Sequence, residues 1–224
     1  MCVCFFFFFF FFFVFLFFFS PLISPCPSLS PPVLPPLSQR RKFTVTGAVL
    51  PVDYDRYFVV PMTEFVESQL VPALIDHCAW IMLHGSRSSG KTTCLKLLQE
   101  ELVEKHNTCA LLVNFQQDVS FVDDSSFWTS MSDSLRRNNP GVQVPVVNSA
   151  REFANFLANT STFCDRRVVL LFDEFDRLYE RASDLLIDDV LGLLRSLKQA
   201  APEGTTALLG CVGAGPFSIL RPPV

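Results

Sequence analysis

The sequence lacks an excess of positive charge and contains few histidines. Its 224 residues include 18 lysines and arginines and 22 aspartates and glutamates, which gives a net charge of -4. Because proteins that bind nucleic acid through its phosphates present basic faces, this composition argues against a direct DNA or RNA reader. The three histidines, His77, His84 and His106, have no second ligand at a spacing usual for zinc, so we expect no metal site built on them.

The sequence also lacks a Cys-x-x-Cys pair, although it contains eight cysteines. Five of them lie inside or beside apolar runs: Cys78, Cys94, Cys109, Cys164 and Cys211. Isolated cysteines in apolar sequence are typical of small buried side chains in a reducing compartment. We therefore expect an intracellular protein without a disulfide framework or a structural zinc site.

Charged residues are absent from residues 1–39, which consist largely of Phe, Ser, Pro and Leu. Cys2 to Phe19 form an unbroken apolar run that is long enough to be a membrane-span candidate, and Arg40 begins a distant basic flank. A secretory signal is a second interpretation, but the run has neither a basic start nor a small-residue cleavage site after it. Membrane anchoring or secretion is expected only if this run is genuine.

A third interpretation of residues 1–39 comes from the genetic code. Phe, Ser, Pro and Leu are the residues whose codons can begin with two pyrimidines, and Gln39 can be encoded by CAG, the triplet that closes many introns. We favour this interpretation, in which the low-complexity tail is translated non-coding sequence and not part of the fold. Residues 40–224 are then expected to form one domain.

From Arg40 onward, short apolar runs alternate with helical patterns. The runs predicted to be buried strands are 78–83, 109–115, 166–172 and 205–213. Helices are predicted from near Lys91, around 126–137, from a capping box at Ser149 and Glu152, and over 184–199. This alternation indicates an α/β sandwich with a mainly parallel sheet covered by helices on both faces. In such folds, ligands bind at the carboxyl edge of the strands.

The first predicted strand leads into GSRSSGKT, which fits the Gly-x-x-x-x-Gly-Lys-Ser/Thr pattern of a phosphate loop, or Walker A motif. Its glycines let successive backbone N–H groups face a phosphate, and the following helix N-terminus adds partial positive charge. The residues predicted to bind the nucleotide are Gly85, Ser86, Arg87, Ser88, Ser89, Gly90, Lys91, Thr92 and Thr93. We expect Lys91 to contact the β and γ phosphates and to act in catalysis, and Thr92 to be a ligand of Mg²⁺.

The third predicted strand runs directly into Asp173 and Glu174. Acidic residues at the end of a buried strand are poorly explained by packing, because unpaired carboxylates near a core are costly. We predict that Asp173 holds the magnesium ion, as in a Walker B motif, and that Glu174 deprotonates the attacking water. In the alternative interpretation, Asp173 caps the next helix and Glu174 faces solvent.

The downstream sequence contains no Asn/Thr-Lys-x-Asp segment, the pattern that reads guanine, so adenine is favoured. From about Tyr57 to Leu220, the chain resembles the AAA-like ATPases of the signal-transduction (STAND) type, which occur in bacteria and in fungal and oomycete Crinkler-type proteins. Beyond the two phosphate motifs, the segments that carry this resemblance are YFVVPMTEFVESQL, FWTSMSDSLRR, LLFDEFDRL, DDVLGLLRSLKQ and LLGCVGAGPFSIL.

The resemblance implies a three-layer P-loop NTPase sandwich with the phosphate-loop strand in the centre of the sheet. It implies ATP and Mg²⁺ as ligands, and coupling of the nucleotide state to conformation or assembly, through self-association or a downstream effector domain. It places Tyr57, Phe58 and Pro61 near the adenine, although ordinary packing explains them equally well. Phe175 and Asp176 would shape the site, although Phe175 fits the core better.

The resemblance also makes Arg195 a candidate to face a neighbouring subunit's nucleotide, but a solvated helix face is the simpler interpretation. Two features depart from the family pattern. The fourth strand has no obvious polar sensor at its end, which leaves Ser218 as a candidate. The sequence ends before a fifth strand or a lid, so we expect a C-terminally incomplete domain with weak hydrolysis. A nucleotide-binding switch without turnover and a membrane-anchored interaction protein are the alternative functions.

Overall fold

The structure is a computed structural model, and it describes residues 60–216. Its elements in chain order are α1 Thr63–Phe65, a π-helical turn Val66–Leu70, α2 Val71–Ile75, β1 Trp80–His84, α3 Lys91–Lys105, β2 Cys109–Asn114, α4 Asp124–Asn138, α5 Ala150–Ala158, a 3₁₀ turn Thr160–Phe163, β3 Val168–Asp173, α6 Asp176–Arg181, α7 Asp184–Glu203 and β4 Leu208–Gly215. The predictions for residues 1–39, the boundary at residue 40, Tyr57, Phe58 and Ser218 lie outside the described residues.

The four strands of this part of the chain form one all-parallel sheet in the order β1-β4-β3-β2. Their carboxyl ends therefore lie at the same edge of the sheet, and β4 separates β1 from β3. The resemblance implied a central β1, and this expectation is wrong for residues 60–216. β1 is an edge strand there, because no strand of the described segment pairs with its other side.

Alternate residues of β2 and β3 enter two different hydrophobic cores, as expected for a sheet covered on both faces. Leu111, Val113, Leu170 and Phe172 belong to the core shared with α4, α5 and α7. Ala110, Leu112, Val169 and Leu171 belong to the core shared with α2, α3 and the π-helical turn. The predicted α/β/α layering and parallel sheet are thus confirmed.

The four predicted strands are present with shifted ends, for local reasons. β1 begins at Trp80 because Cys78 has a left-handed φ of 48° and the Ala79 N–H donates to the Ala73 carbonyl of the preceding helix. β3 begins at Val168, since the Arg166 N–H still closes the 3₁₀ turn. Backbone groups committed to a turn cannot pair with a neighbouring strand.

The cysteines are not all buried. Cys94, Cys109 and Cys211 are between 3% and 5% exposed, as predicted, and burial raises the pKa of the Cys94 thiol to about 11. Cys164 is exposed, because it terminates the 3₁₀ turn in a left-handed conformation at the surface. The expectation of burial is therefore wrong for Cys164, and Cys78 is only half-buried. No helix within residues 60–216 combines the length and apolar character that crossing a bilayer requires.

Candidate functional site

The loop between β1 and α3 is held at both of its ends. The Gly85 N–H donates to the Gly215 carbonyl at 3.3 Å, which joins the start of the loop to the end of β4. At the other end, Gly90 has a φ of 88° and precedes the first residue of α3. Its left-handed conformation turns the chain from the loop into the helix, and residues 86–89 between these anchors are exposed.

The side chain of Lys91 folds into this loop. Its Nζ donates to the Ser86 carbonyl at 2.8 Å and to the Gly85 carbonyl at 3.2 Å, and it lies 3.5 Å from the Ser89 hydroxyl. The loop thus encloses an ammonium group at the N-terminus of α3. Positive charge and helix N–H groups together favour an anion at this place.

Thr92 and Asp173 meet at the carboxyl edge of the sheet. The Thr92 hydroxyl donates to Asp173 Oδ2 at 2.9 Å, although the two residues are 81 positions apart in sequence. This contact confirms the expectation that the glycine-rich loop and the acidic pair lie together. The interpretation of Asp173 as a helix cap is wrong, because α6 has Phe175 at its N-cap and no side chain caps it.

A third side chain, Asn114, also contacts Asp173, and the sequence interpretation missed it. Asn114 is the last residue of β2 and pairs in register with Asp173, to whose Oδ2 its Nδ2 donates at 3.2 Å. A signal was present in the sequence, because an amide lay beside the carboxyl end of the strand predicted over 109–115, at the edge where ligands were expected. The sequence alone does not show that β2 and β3 are neighbours, so this amide could not be connected with Asp173.

Asp173 is 3% exposed, and this burial raises the pKa of its carboxyl group. The Thr92 hydroxyl, the Glu174 N–H and the charges of Lys91 and Lys96 act in the opposite direction. Desolvation makes the charged carboxylate costly, so a cation beside it would be strongly favoured.

Glu174 follows Asp173 in an unusual backbone conformation. Its φ of 53° is uncommon for a residue with a side chain, and its own N–H donates to Asp173 Oδ1 at 3.1 Å. The next N–H, that of Phe175, donates to the Ala214 carbonyl at 2.8 Å. These two bonds hold the conformation and leave the Glu174 side chain half-buried at the sheet edge.

The remaining predicted residues differ in their burial. Phe175 is 4% exposed and belongs to the aromatic core, and Asp176 is 3% exposed, so burial raises the pKa of its carboxyl group. Pro61 is exposed, and Thr93 is half-buried in the first turn of α3. Arg195 is exposed and borders an open cavity of about 250 Å³ that residues of β1 and α7 also line, and none of its lining residues belongs to the 85–93 loop.

The residues at this edge suit a magnesium ion. Mg²⁺ prefers hard oxygen ligands and is usually held by one or two side-chain oxygens together with phosphate oxygens and water. The Thr92 hydroxyl and the buried Asp173 carboxylate supply oxygens of this kind within hydrogen-bonding distance of each other. The arrangement can hold a magnesium ion beside an anion in the loop.

A parallel sheet with a glycine-rich loop leading from β1 into α3, and an aspartate ending β3, defines a P-loop NTPase fold. A family model described as AAA domain matches residues 75–215, which is more than half of the chain. The chain therefore belongs to the AAA domain family, whose members bind nucleotide and generally act as ATPases. A comparison with curated proteins gives no match.

Proposed function

We propose that this chain binds ATP with Mg²⁺ at the edge formed by the 85–93 loop and Asp173, and that it hydrolyses the γ phosphate. The observation that carries the proposal is the Thr92–Asp173 hydrogen bond of 2.9 Å, which joins the two predicted halves of the site. AAA family membership over residues 75–215 supports the same class of activity.

The proposed binding role falls to the loop and the start of α3. The backbone N–H groups of residues 86–93 would donate to phosphate oxygens. Lys91 would leave the loop carbonyls and donate to the β and γ phosphates instead. Thr92 and Asp173 would hold the magnesium ion, which when bound neutralises charge on the phosphate oxygens. Adenine is proposed because the guanine-reading pattern is missing from the sequence.

Glu174 is the proposed general base. It would orient the attacking water and accept its proton, which is the task of a carboxylate at this position of a phosphoryl-transfer site. Its left-handed backbone, with a φ of 53°, turns the residue after Asp173 away from the strand direction. Asp173 and Glu174 can thus serve two different partners, the metal and the water.

The regulatory part of the proposal rests on the resemblance to the signal-transduction group. Nucleotide state would control conformation or assembly, through contacts with further copies of the chain or with an effector domain. We propose no direct nucleic-acid partner, because the net charge is -4.

The test measures ATP affinity and phosphate release for the full chain and two substitutions. Lys91→Ala should weaken ATP binding by about tenfold or more, since it removes a charge-assisted contact. Glu174→Gln should leave binding unchanged and reduce phosphate release by about 100-fold or more, the usual contribution of a general base. Lys198→Ala and Glu203→Gln make the same charge changes on exposed positions of α7 and should leave both quantities unchanged.

The outcomes separate the two nucleotide-based functions. ATP binding by the parent chain without phosphate release would replace the ATPase with a nucleotide-binding switch. ATP binding that is absent, or equal in the parent and in Lys91→Ala, would contradict both.

A further inference from the structure

We propose that Asn114 is a positioning residue for Asp173: its amide occupies Asp173 Oδ2 and thereby reserves Oδ1 for the magnesium ion or its water shell. This inference rests on the proposed function, because it concerns the same metal. It starts from the hydrogen bond of 3.2 Å between Asn114 Nδ2 and Asp173 Oδ2.

The orientation of the Asn114 amide is determined by its surroundings. Its Oδ1 accepts the backbone N–H groups of Gln116 at 2.9 Å and Gln117 at 3.2 Å. Backbone N–H groups only donate, so the oxygen of the amide must face them. The nitrogen must then face Asp173, where a carboxylate can only accept.

The hydrogen bonds divide unequally between the two oxygens of Asp173. Oδ2 accepts from the Thr92 hydroxyl at 2.9 Å and from Asn114, whereas within residues 60–216 Oδ1 accepts only from the Glu174 N–H at 3.1 Å. An ionised carboxylate has about two lone-pair sites on each oxygen. Oδ2 is therefore fully used, and Oδ1 has capacity for one more partner.

The fold holds the Asn114 side chain beside Asp173. Asn114 and Asp173 are paired in register on neighbouring strands, and the Phe115 N–H donates to the Asp173 carbonyl at 3.0 Å. This backbone bond fixes the separation of the two side chains. Because Asp173 is only 3% exposed, solvent has little access to replace the amide donor.

The experiment measures the affinity of a non-hydrolysable ATP analogue for the full chain in Mg²⁺ and in EDTA. The parent should bind more tightly in Mg²⁺. In Asn114→Ala, the ratio of the affinity in Mg²⁺ to the affinity in EDTA should be about tenfold smaller. This factor corresponds to about 1.4 kcal/mol, the size expected for a hydrogen bond to a charged group. Its affinity in EDTA should equal that of the parent, because Asn114 has no part in the proposed phosphate contacts.

Asn114→Ser is the second variant, because a serine hydroxyl can still accept from the turn N–H groups but is too short to reach Asp173. It should lose the same enhancement. Asn148→Ala is the matched control and should behave like the parent. It removes an exposed amide whose oxygen accepts from the Thr129 hydroxyl. Thermal unfolding without nucleotide checks that each variant is folded.

An unchanged magnesium enhancement in folded Asn114→Ala or Asn114→Ser would overturn the inference and leave the proposed function intact. A parent chain that binds the analogue equally in Mg²⁺ and EDTA would overturn the inference together with the proposed metal site. Loss of binding in EDTA in both variants would assign Asn114 to nucleotide contact and also overturn the positioning role.

Discussion

Gly90 and Glu174 have left-handed backbone conformations on the two sides of the phosphate site, with φ values of 88° and 53°. For glycine this conformation costs almost nothing, whereas a residue with a Cβ atom loses about 1–2 kcal/mol. At Glu174 the surrounding hydrogen bonds of Asp173 and Ala214 compensate for that cost. At Gly90 this cost does not arise, because glycine has no Cβ atom.

We expect Gly90→Ala to lower the free energy of unfolding by about 1–2 kcal/mol. The alanine would have to adopt the left-handed backbone conformation, and its Cβ atom would lie 3.0 Å from the Met62 methyl carbon. Urea denaturation of the full chain measures the change. Gly192→Ala is the matched control, because Gly192 lies inside α7 with open space around it.

The control should act in the opposite direction. Alanine in the middle of a helix is more favourable than glycine by about 1 kcal/mol, so Gly192→Ala should stabilise the chain slightly. A Gly90→Ala variant as stable as the parent would show that the left-handed conformation at the loop end is not required.

β2 is the other edge strand of the sheet that residues 60–216 form. Edge strands carry backbone groups that invite pairing with other chains. Here the Asn139 side chain, which follows α4, accepts from the Leu112 N–H at 3.2 Å and lies 3.5 Å from the Leu112 carbonyl. Gln99 of α3 donates to the Ala110 carbonyl at 3.1 Å. Side-chain amides thus pair with backbone groups of β2 in the way that another strand would.

We expect Asn139→Ala to destabilise the chain by about 1–3 kcal/mol, because it leaves the buried Leu112 N–H without an acceptor. Urea denaturation measures the loss, and amide hydrogen exchange at Leu112 should be faster in the variant. Gln143→Ala, at an exposed position, is the control and should change stability by less than about 0.5 kcal/mol. Equal exchange at Leu112 in parent and variant would contradict the edge-capping role.

At the scale of the whole molecule, nucleotide binding should stabilise the fold. A ligand at about 100 times its Kd adds about 2.7 kcal/mol, which raises the unfolding midpoint of a domain of this size by about 5–10 °C. We expect this rise with ATP and Mg²⁺, and a smaller one both when EDTA removes the metal and with Lys91→Ala at the same ATP concentration. Differential scanning calorimetry on the full chain measures it. Equal midpoints with and without ATP would contradict nucleotide binding.

Much of this architecture could be predicted from the sequence, because it depends on local patterns. Apolar runs alternating with helical stripes predicted the layered α/β fold, and Ser149 was recognised as a helix cap that accepts from the Glu152 N–H at 3.3 Å. The capping box itself differs slightly, since Glu152 accepts from the N–H of Asn148 and not from that of Ser149. Residue types and short spacings sufficed for these features.

The sequence by itself determined which groups could serve the phosphate site, because the glycine-rich loop, Lys91, Thr92 and the acidic pair are defined by residue type and order. Only the tertiary structure decided that β1 is an edge strand of residues 60–216, and that Asn114 lies against Asp173, 59 positions away. Strand order is set by how whole faces pack against one another. That packing brings together residues whose proximity leaves no periodic signal along the chain.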